Sequence, residues 1–353
     1  MVEEVPALAN ASFAARARRL MCRRLLAALG VVLLAAWAVA APVHAANPTP
    51  VSLRLDIFFY GTQVPLLAGI VDGTFEKHGL KVTARTGRGS ATTLQTVANR
   101  SDDFGFADGG TLVKLAAQGL KAKLVVGILQ TSPMVVITMS HSGLTKLTDL
   151  NGKTGGFAHE SSPEQIFPAL ASKAGIDIKS IKKISVDIPT RDSIFLLGKT
   201  DFSFGYAVTQ VPLLQERCRC ILNVIRYADH GIVAIGNGIV ASDALIAEKP
   251  DIVSKFAAAT VESIAKAVEN PDEAVNLFFR YVADKTNVSR EVVSQQWRES
   301  MKVLKTETTR NKDYGYLAES DWQKTIELLV KYGGVSEGKV TPAMVYTNKF
   351  LPK

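Results

Sequence analysis

The chain has 353 residues, of which 47% are hydrophobic and 21% are charged, and its formal net charge is +8. This composition excludes disordered, collagen-like and disulfide-scaffold proteins, and the length is sufficient for two domains with their own cores. Residues 1–46 carry five Arg and two Glu, so the rest of the chain has a mild net charge of +5 without the basic stripe of a nucleic-acid binder.

The N-terminal segment has the pattern of an export signal. Arg23-Arg24 precedes the uncharged run Leu25–Ala41, and small residues follow it up to Ala45 and Ala46. A basic region, a short apolar region and small residues in this order are typical of a secretory signal peptide, cleaved here after Ala45 or Ala46. The apolar run is short and alanine-rich for a membrane span of ~20 residues. We therefore predict a signal peptide over residues 1–46 and a periplasmic mature protein.

Short apolar runs then alternate with helical periodicity, which is typical of an α/β protein. The first set of predicted strands is Val51–Phe59, Leu80–Thr86, Asp103–Ala107, Leu124–Leu129 and Val135–Thr138, and its helices are Val64–Lys77, Ala91–Asn99 and Thr111–Gln118. The second set of strands is Gly152–Phe157, Ile184–Asp187, Asp201–Gly205 and Ile221–Ile225, and its helices are Pro163–Lys173, Asp192–Leu197 and Gln210–Arg217.

A local repeat links the two sets. Asp103–Asp108 reads DFGFAD and Asp201–Tyr206 reads DFSFGY, and each forms the third predicted strand of its set. Similar hexapeptides at equivalent positions of two α/β sets indicate two similar lobes. Ligands of such proteins bind in the cleft where strand ends and helix N-termini face each other.

After Gly231 the pattern predicts helices alone, including an amphipathic helix whose apolar stripe runs from Ile252 to Val268. The predicted organisation is a first part of lobe 1 over 47–138, lobe 2 over 139–231, and a return to lobe 1 with C-terminal helices over 232–353. The fold class is therefore α/β with two lobes.

The spacing of reactive residues does not form a recognisable catalytic or metal site. Gly87–Ser90 imitates a dinucleotide-binding turn but lacks its third glycine, and Gly152–Thr154 lacks the first glycine of a P-loop. His159-Glu160 has no second His at the spacing of a zinc protease, and Cys218 and Cys220 are too few for a metal site by themselves. We predict a protein that is not an enzyme and has no cofactor or metal.

Binding groups are predicted where helices begin and strands end. Ser90, Ser161 and Ser162 lie at helix N-termini, whose free N–H groups suit an anion or a hydrogen-bond acceptor, although serine there is equally a simple cap. Asp108 ends a strand before a helix, where it can cap that helix or accept a hydrogen bond from a ligand. Arg191 begins a helix and either holds an anion or extends into solvent.

Aromatic residues mark the end of the first strand and of its counterpart in the second set. Among Phe58, Phe59 and Tyr60, one must point into the core, and a neighbour can offer a stacking face to a flat ligand, with Tyr206 at the matching position. The predicted ligand-binding residues are Phe59, Tyr60, Gln63, Ser90, Asp108, Glu160, Ser161, Ser162, Arg191, Tyr206 and Asn237.

Seven short motifs occur in a characteristic order: Gly73–Leu80, Gly89–Thr93, Asp103–Asp108, Leu147–Lys153, Tyr227–Asp229, Asn237–Ile239 and Asn270–Ala274. Over about Leu53 to Ala283, the chain resembles the periplasmic substrate-binding proteins of ABC importers of the nitrate/sulfonate/taurine (NitT/TauT) type, with the thiamine-pyrimidine-synthase-like domain. The resemblance implies a bilobed type II periplasmic-binding-protein fold with two hinge crossovers. It also implies a monomer that closes on a small-molecule ligand and delivers it to a membrane permease.

The resemblance leaves several ligands open. Gly89–Thr93 and Phe106–Asp108 look most like members proposed for riboflavin or thiamine-pyrimidine precursors. Pyrimidine binders carry Trp after the first-strand Asp and an Asn-Thr-x-His string, whereas this chain has Ile57 and Tyr60–Gln63 there. A flat N-heterocycle is favoured, because a carboxylate such as Asp108 in a cleft repels a small anion. The alternatives are alkanesulfonate, taurine or nitrate, or an exported enzyme of the same fold, although the Cys-rich iron motif of the eukaryotic synthase is missing.

Overall fold

The computed structural model describes residues 47–353, so the predicted signal peptide lies outside the described residues. Ten strands of this part of the chain form two five-stranded sheets. The first sheet has the order β2-β1-β3-β10-β4, with β1 Thr49–Arg54, β2 Leu80–Arg85, β3 Phe104–Asp108, β4 Ala122–Gly127 and β10 Asn237–Ser242. The second has the order β7-β6-β8-β5-β9, with β5 Met134–Met139, β6 Thr154–Phe157, β7 Lys182–Ser185, β8 Phe202–Tyr206 and β9 Leu222–Arg226.

The two sheets share one topology. In the first, β10 runs antiparallel to both β3 and β4, and in the second, β5 runs antiparallel to both β8 and β9. The repeated hexapeptides form β3 and β8, which occupy the same position in the two sheets. The predicted pair of similar α/β lobes is therefore confirmed, and the carboxyl ends of β3 and β8 occupy equivalent places in their lobes.

Helices cover the sheets. Those of the first lobe are α1 Val64–Val71, α2 Thr74–Lys77, α3 Ser90–Ala98 and α4 Gly109–Ala117, and those of the second are α5 Ser162–Ala174, α6 Ile188–Leu196 and α7 Gln210–Cys218. The chain then adds α8 Asp243–Glu248, α9 Pro250–Glu269, α10 Pro271–Val282, α11 Arg290–Met301, α12 Glu319–Tyr332 and α13 Pro342–Val345. Within residues 47–353, no helix combines the length and the apolar content that crossing a membrane requires.

The predicted apolar stripe of α9 packs on the first sheet. Phe256 of α9 stacks on Phe104 of β3 with ring centroids 3.9 Å apart, and it also contacts Phe75. In the second lobe, Phe157 and Phe204 meet edge to face with centroids 5.0 Å apart. Because aromatic pairs of this kind add to the stability gained by burial, these contacts help to hold both third strands in place.

The structure corrects two features of the predicted organisation. The strand Met134–Met139 belongs to the second sheet, whereas the predicted boundary placed it in lobe 1. A short apolar run fits the interior of either sheet, so the sequence pattern does not assign it to one of them. The segment after Gly231 is not helical alone, because Asn237–Ser242 forms β10 between β3 and β4 in the first sheet. All six residues of β10 are buried, so it has no alternating polar pattern that would reveal a strand.

Candidate ligand site between the lobes

A small cavity, called here the inner cavity, lies between residues of the two lobes. The first lobe contributes Asp56, Tyr60 and Ser90, and the second contributes Arg191 and Tyr206. The complete lining is Asp56, Ile57, Tyr60, Thr62, Gly89, Ser90, Ser161, Ser162, Pro163, Ile188, Arg191, Gly205, Tyr206, Thr209 and Gln210. Its volume is about 40 Å³, whereas pockets for drug-sized ligands measure about 300–1,000 Å³. The lobes are therefore closed on each other.

A second cavity, called here the outer cavity, adjoins the inner one and shares Ile57 and Ile188 with it. Its volume is about 880 Å³. The lining comes from both lobes and consists of Arg54, Ile57, Phe58, Thr86, Gly87, Arg88, Thr92, Thr93, Thr96, Glu160, Asp187, Ile188 and Pro189. Of the predicted binding residues, only Glu160 lies here, where its side chain is exposed.

Asp56 is a buried carboxyl group in the wall of the inner cavity, and it was absent from the predicted site. Gln63 Nε2 donates to Asp56 Oδ1 at 3.1 Å, and Asn237 Nδ2 donates to Asp56 Oδ2 at 2.9 Å. Burial opposes these hydrogen bonds and raises the pKa of Asp56 to about 7. Near neutral pH the group can therefore accept a hydrogen bond as the carboxylate or donate one as the acid.

Three residues of the predicted site support the cavity without lining it. Gln63 and Asn237 are fully buried and hold Asp56, and Gln63 Oε1 also accepts the N–H of Tyr60 at 2.6 Å. Phe59 is the aromatic residue that points into the core, where its ring meets Tyr281 edge to face at 6.1 Å. Of its two neighbours, Tyr60 lines the inner cavity and Phe58 lines the outer cavity.

Asp108 caps a helix and already accepts four hydrogen bonds within the protein. Its Oδ1 accepts the backbone N–H and the hydroxyl of Thr111 at 2.8 and 3.1 Å, so Asp108 is the N-cap of α4. Its Oδ2 accepts the hydroxyls of Ser132 and Tyr206 at 2.8 and 3.0 Å. With four donors on a fully buried carboxyl group, the capping interpretation is confirmed, and a contact of Asp108 with a ligand stays a prediction.

Hydrogen bonds across the cleft hold the two lobes together. The Tyr206 hydroxyl of β8 donates to Asp108 of β3, and the backbone N–H of Ala91 donates to the carbonyl oxygen of Glu160 at 3.2 Å. Gln296 of α11 accepts the N–H of Gly61 at 2.8 Å and donates to the carbonyl of Thr209 at 2.9 Å. These contacts join residues of both lobes around the inner cavity, so they must break when the cleft opens.

Arg191 is neutralised by two buried carboxyl groups, and its contact with a ligand stays a prediction. Its Nη1 donates to Glu164 Oε1 at 2.6 Å, and its Nε and Nη2 donate to Asp192 Oδ1 at 3.0 and 2.8 Å. All three side chains are almost fully buried. Two carboxyl groups thus face one guanidinium, and burial raises the pKa of Asp56 and of Asp108 nearby, so the surroundings of the inner cavity have no excess of positive charge.

The predicted helix N-termini do meet at the inner cavity. Ser90 begins α3, and its hydroxyl oxygen accepts the N–H of Asp108 at 3.1 Å, whereas Ser161 and Ser162 begin α5. Together with Tyr60, Arg191 and Tyr206, these serines are the six predicted residues in the lining. Their contact with a ligand stays a prediction.

Sequence reasoning missed Thr62, Thr209 and Gln210. Within residues 47–353, the side chain of Gln210 forms hydrogen bonds only through Oε1. This atom accepts the N–H of Tyr206 at 3.0 Å and the hydroxyl of Thr209 at 2.6 Å. The Nε2 group is left to donate to a ligand. A glutamine at the start of a predicted helix next to the Asp201–Tyr206 repeat was the available signal.

The comparisons with known proteins identify the family. The family described as NMT1/THI5 like matches residues 62–274. The chain belongs to the NMT1/THI5-like family.

Relatives of this NMT1/THI5-like protein include binding proteins and a synthase. Over 329 residues it is 27% identical to the riboflavin-binding protein RibY of Chloroflexus aurantiacus, covering 90% of this chain and 91% of RibY. Over 304 residues it is 22% identical to the 4-amino-5-hydroxymethyl-2-methylpyrimidine phosphate synthase of Legionella pneumophila, covering 86% and 92%. The periplasmic aliphatic sulphonate binding protein SsuA of Escherichia coli has a TM-score of 0.63 and 13% identity, covering 87% and 94%.

These findings confirm the resemblance and the bilobed fold. The NMT1/THI5-like protein is a solute-binding protein of the NitT/TauT type. The titratable side chains that line its inner cavity are Asp56, Tyr60, Arg191 and Tyr206. These groups suit the recognition of a ligand by hydrogen bonds and aromatic faces.

Proposed function

We propose that this protein is the extracytoplasmic component of an ABC transporter and captures a flat N-heterocycle of the flavin class between its lobes. The observation that carries the proposal is the buried carboxyl group of Asp56 in the wall of a cavity that Tyr60 and Tyr206 also line. The similarity to a riboflavin-binding protein over nine-tenths of the chain supports the same ligand class.

The polar groups of the inner cavity match the edge of a flavin ring. That edge has an imide N–H between two carbonyl groups, so it needs one acceptor flanked by donors. Asp56 is the acceptor in this proposal, and Gln210 Nε2 and the serine hydroxyls at the start of α5 are the donors. The ring would lie against Tyr60 or Tyr206, because a flat π-system packs well on an aromatic side chain.

The charge of the site favours this class over alkanesulfonates and nitrate. An anion would lose its hydration and then find a single cation, Arg191, which Glu164 and Asp192 already neutralise. The other acidic groups nearby, Asp56 and Asp108, offer it no positive charge. Like charges repel strongly where water is excluded. The helix N-terminus at Ser161 is the observation that favours the anion alternative.

Affinity measurements by calorimetry test the ligand class. We expect riboflavin to bind, and taurine, an alkanesulfonate and nitrate to bind weakly or not at all. At pH 8, Asp56→Asn should weaken riboflavin binding about 10- to 150-fold, which corresponds to the loss of a hydrogen bond to a charged group of ~1.5–3 kcal/mol. The exposed Asp313→Asn is the matched control and should bind as the wild type does. Tight binding of an anion that Asp56→Asn leaves unchanged or strengthens would contradict the proposal.

Export and delivery to a membrane permease are part of the proposed function. The mass of the mature protein, isolated from the periplasm of cells that express the full chain, should correspond to a first residue at Ala46 or Asn47. A product that keeps Leu25–Ala41 and fractionates with the membrane would overturn the export step and leave the ligand class untouched.

A further inference from the structure

We infer that the outer cavity is a subsite for a neutral, hydroxylated chain attached to the ring that the inner cavity recognises. The inference rests on the proposed function and adds a second half to the ligand. It follows from the shape of the two cavities, from a row of hydroxyl groups on α3 and from the balance of charge at the mouth of the cleft.

The two cavities share part of their wall, and in this inference they form one path with a change of chemistry along it. The inner cavity of about 40 Å³ has room only for the edge of a ligand, whereas the outer cavity of about 880 Å³ has room for the remainder. Ile57 and Ile188 line both cavities and provide an apolar passage between them. Phe58, which is 39% exposed, stands on the outer side of this passage. A polar ring edge, an apolar ring body and a polar tail would follow this path in that order.

The wall of the outer cavity carries hydroxyl groups along one face of α3. Thr92 and Thr96 lie one helical turn apart, so their side chains share a face. The Thr96 hydroxyl donates to the carbonyl of Thr93 at 2.9 Å, which leaves its oxygen free to accept. The Thr92 hydroxyl is half-buried and makes no hydrogen bond to another residue in the described part of the chain. A chain of hydroxyl groups can donate to and accept from such a wall.

The charges at the outer cavity cancel. Arg54 and Arg88 come from the first lobe, and Glu160 and Asp187 come from the second. Arg54 is already engaged, because its Nε donates to Asp102 at 2.8 Å and its Nη1 to the carbonyl of Thr86. The site therefore lacks an excess of positive charge for a phosphate, and a neutral tail fits it better than a phosphorylated one.

Three flavins that differ only in the tail test the inference. Calorimetry should show that riboflavin, with its ribityl chain of four hydroxyl groups, binds at least tenfold more tightly than lumiflavin, which has a methyl group instead. Riboflavin phosphate should bind more weakly than riboflavin. Thr92→Val and Thr96→Val keep the side-chain shape but remove the hydroxyl, so each should weaken riboflavin binding about three- to tenfold and leave lumiflavin binding unchanged.

Matched variants separate this effect from a folding defect. Thr92→Ser keeps the hydroxyl and should bind riboflavin as the wild type does. Thr83 is an exposed threonine of β2, and Thr83→Val should have no effect on binding. Thermal unfolding of every variant reports whether it folds.

Equal binding of riboflavin and lumiflavin by all variants would place the tail in solvent and overturn the inference while the ring site stands. Preference for riboflavin phosphate that Arg88→Gln abolishes would overturn it in favour of a phosphate subsite. Failure of all three flavins to bind would overturn the proposed function together with the inference.

Discussion

The unliganded protein should lose stability as the pH rises from 4 to 7, and Asp56→Asn should escape most of that loss. The folded state keeps the proton of Asp56 up to its raised pKa of about 7, whereas the unfolded chain releases it near 3.8. Between these values the folded state binds more protons, so the free energy of unfolding falls with rising pH and levels off above 7. A difference of about 3 pKa units corresponds to at most ~4 kcal/mol.

The asparagine variant fits the same hydrogen-bond network. Gln63 must keep its NH₂ group towards residue 56, because its Oε1 accepts the N–H of Tyr60. Asn237 is free to turn its amide, since its Oδ1 is buried without a partner among the described residues. The new side chain can thus accept from Gln63 and donate to Asn237, so residue 56 keeps both of its side-chain hydrogen bonds.

Thermal unfolding of the two proteins from pH 4 to pH 8 measures the effect. The curves should coincide near pH 4 and separate towards pH 7, with the variant more stable. The acidic side chains whose pKa is lowered, such as Glu262 beside His78 and Lys77, titrate equally in both proteins, so the difference isolates Asp56. Parallel curves over the whole range would show that Asp56 is ionised at low pH. The same substitution should weaken riboflavin binding, so stability and ligand affinity are expected to change in opposite directions.

Arg191→Met should destabilise the fold by about 3–5 kcal/mol at pH 7, because it leaves the buried carboxylates of Glu164 and Asp192 without a cation. Urea unfolding measures this loss, and Arg298→Met is the matched control. Arg298 makes a comparable ion pair with Asp272 at 3.1 Å, but both side chains are largely exposed, so its removal should cost at most about 1 kcal/mol.

The dependence of this loss on pH and on the acidic partners gives a second check. Burial raises the pKa of Asp192, so lowering the pH protonates this carboxylate once its cation is gone, and the deficit of Arg191→Met should shrink at pH 5. Adding Glu164→Gln to the variant should recover part of the stability, since one unpaired charge is removed. Equal effects of Arg191→Met and Arg298→Met would mean that the buried cluster does not stabilise the second lobe.

Local sequence patterns predicted those parts of the molecule that local interactions determine. Alternating apolar runs, the repeated hexapeptides and the serines at helix starts led to the two lobes and to six residues of the inner cavity. The capping of α4 by Asp108 was also one of the predicted alternatives, since an N-cap depends on residues three positions apart.

The remaining features of the site depend on partners that are distant in the chain. Asp56 falls within the predicted strand Val51–Phe59, whereas β1 ends at Arg54 in the structure. The environment of its carboxyl group depends on Asn237, which lies 181 positions away in the chain. Arg191 is paired with Glu164, 27 positions earlier, as well as with its neighbour Asp192, so its sequence surroundings reveal only part of its neutralisation. The fully buried β10 lacks any periodic signal, and its place in the first sheet is a property of the tertiary structure alone.

The position of β10 has a consequence for the order of folding. Every strand of the second sheet comes from the continuous stretch between Met134 and Arg226, whereas the first sheet needs β10 between β3 and β4. As the chain is made from its N-terminus, the second lobe is complete before the first can join β3 to β4. Until then both strands present unpaired edges, which favour association with other chains. A nascent chain that stops before Asn237 therefore contains one finished lobe and one that needs protection from aggregation.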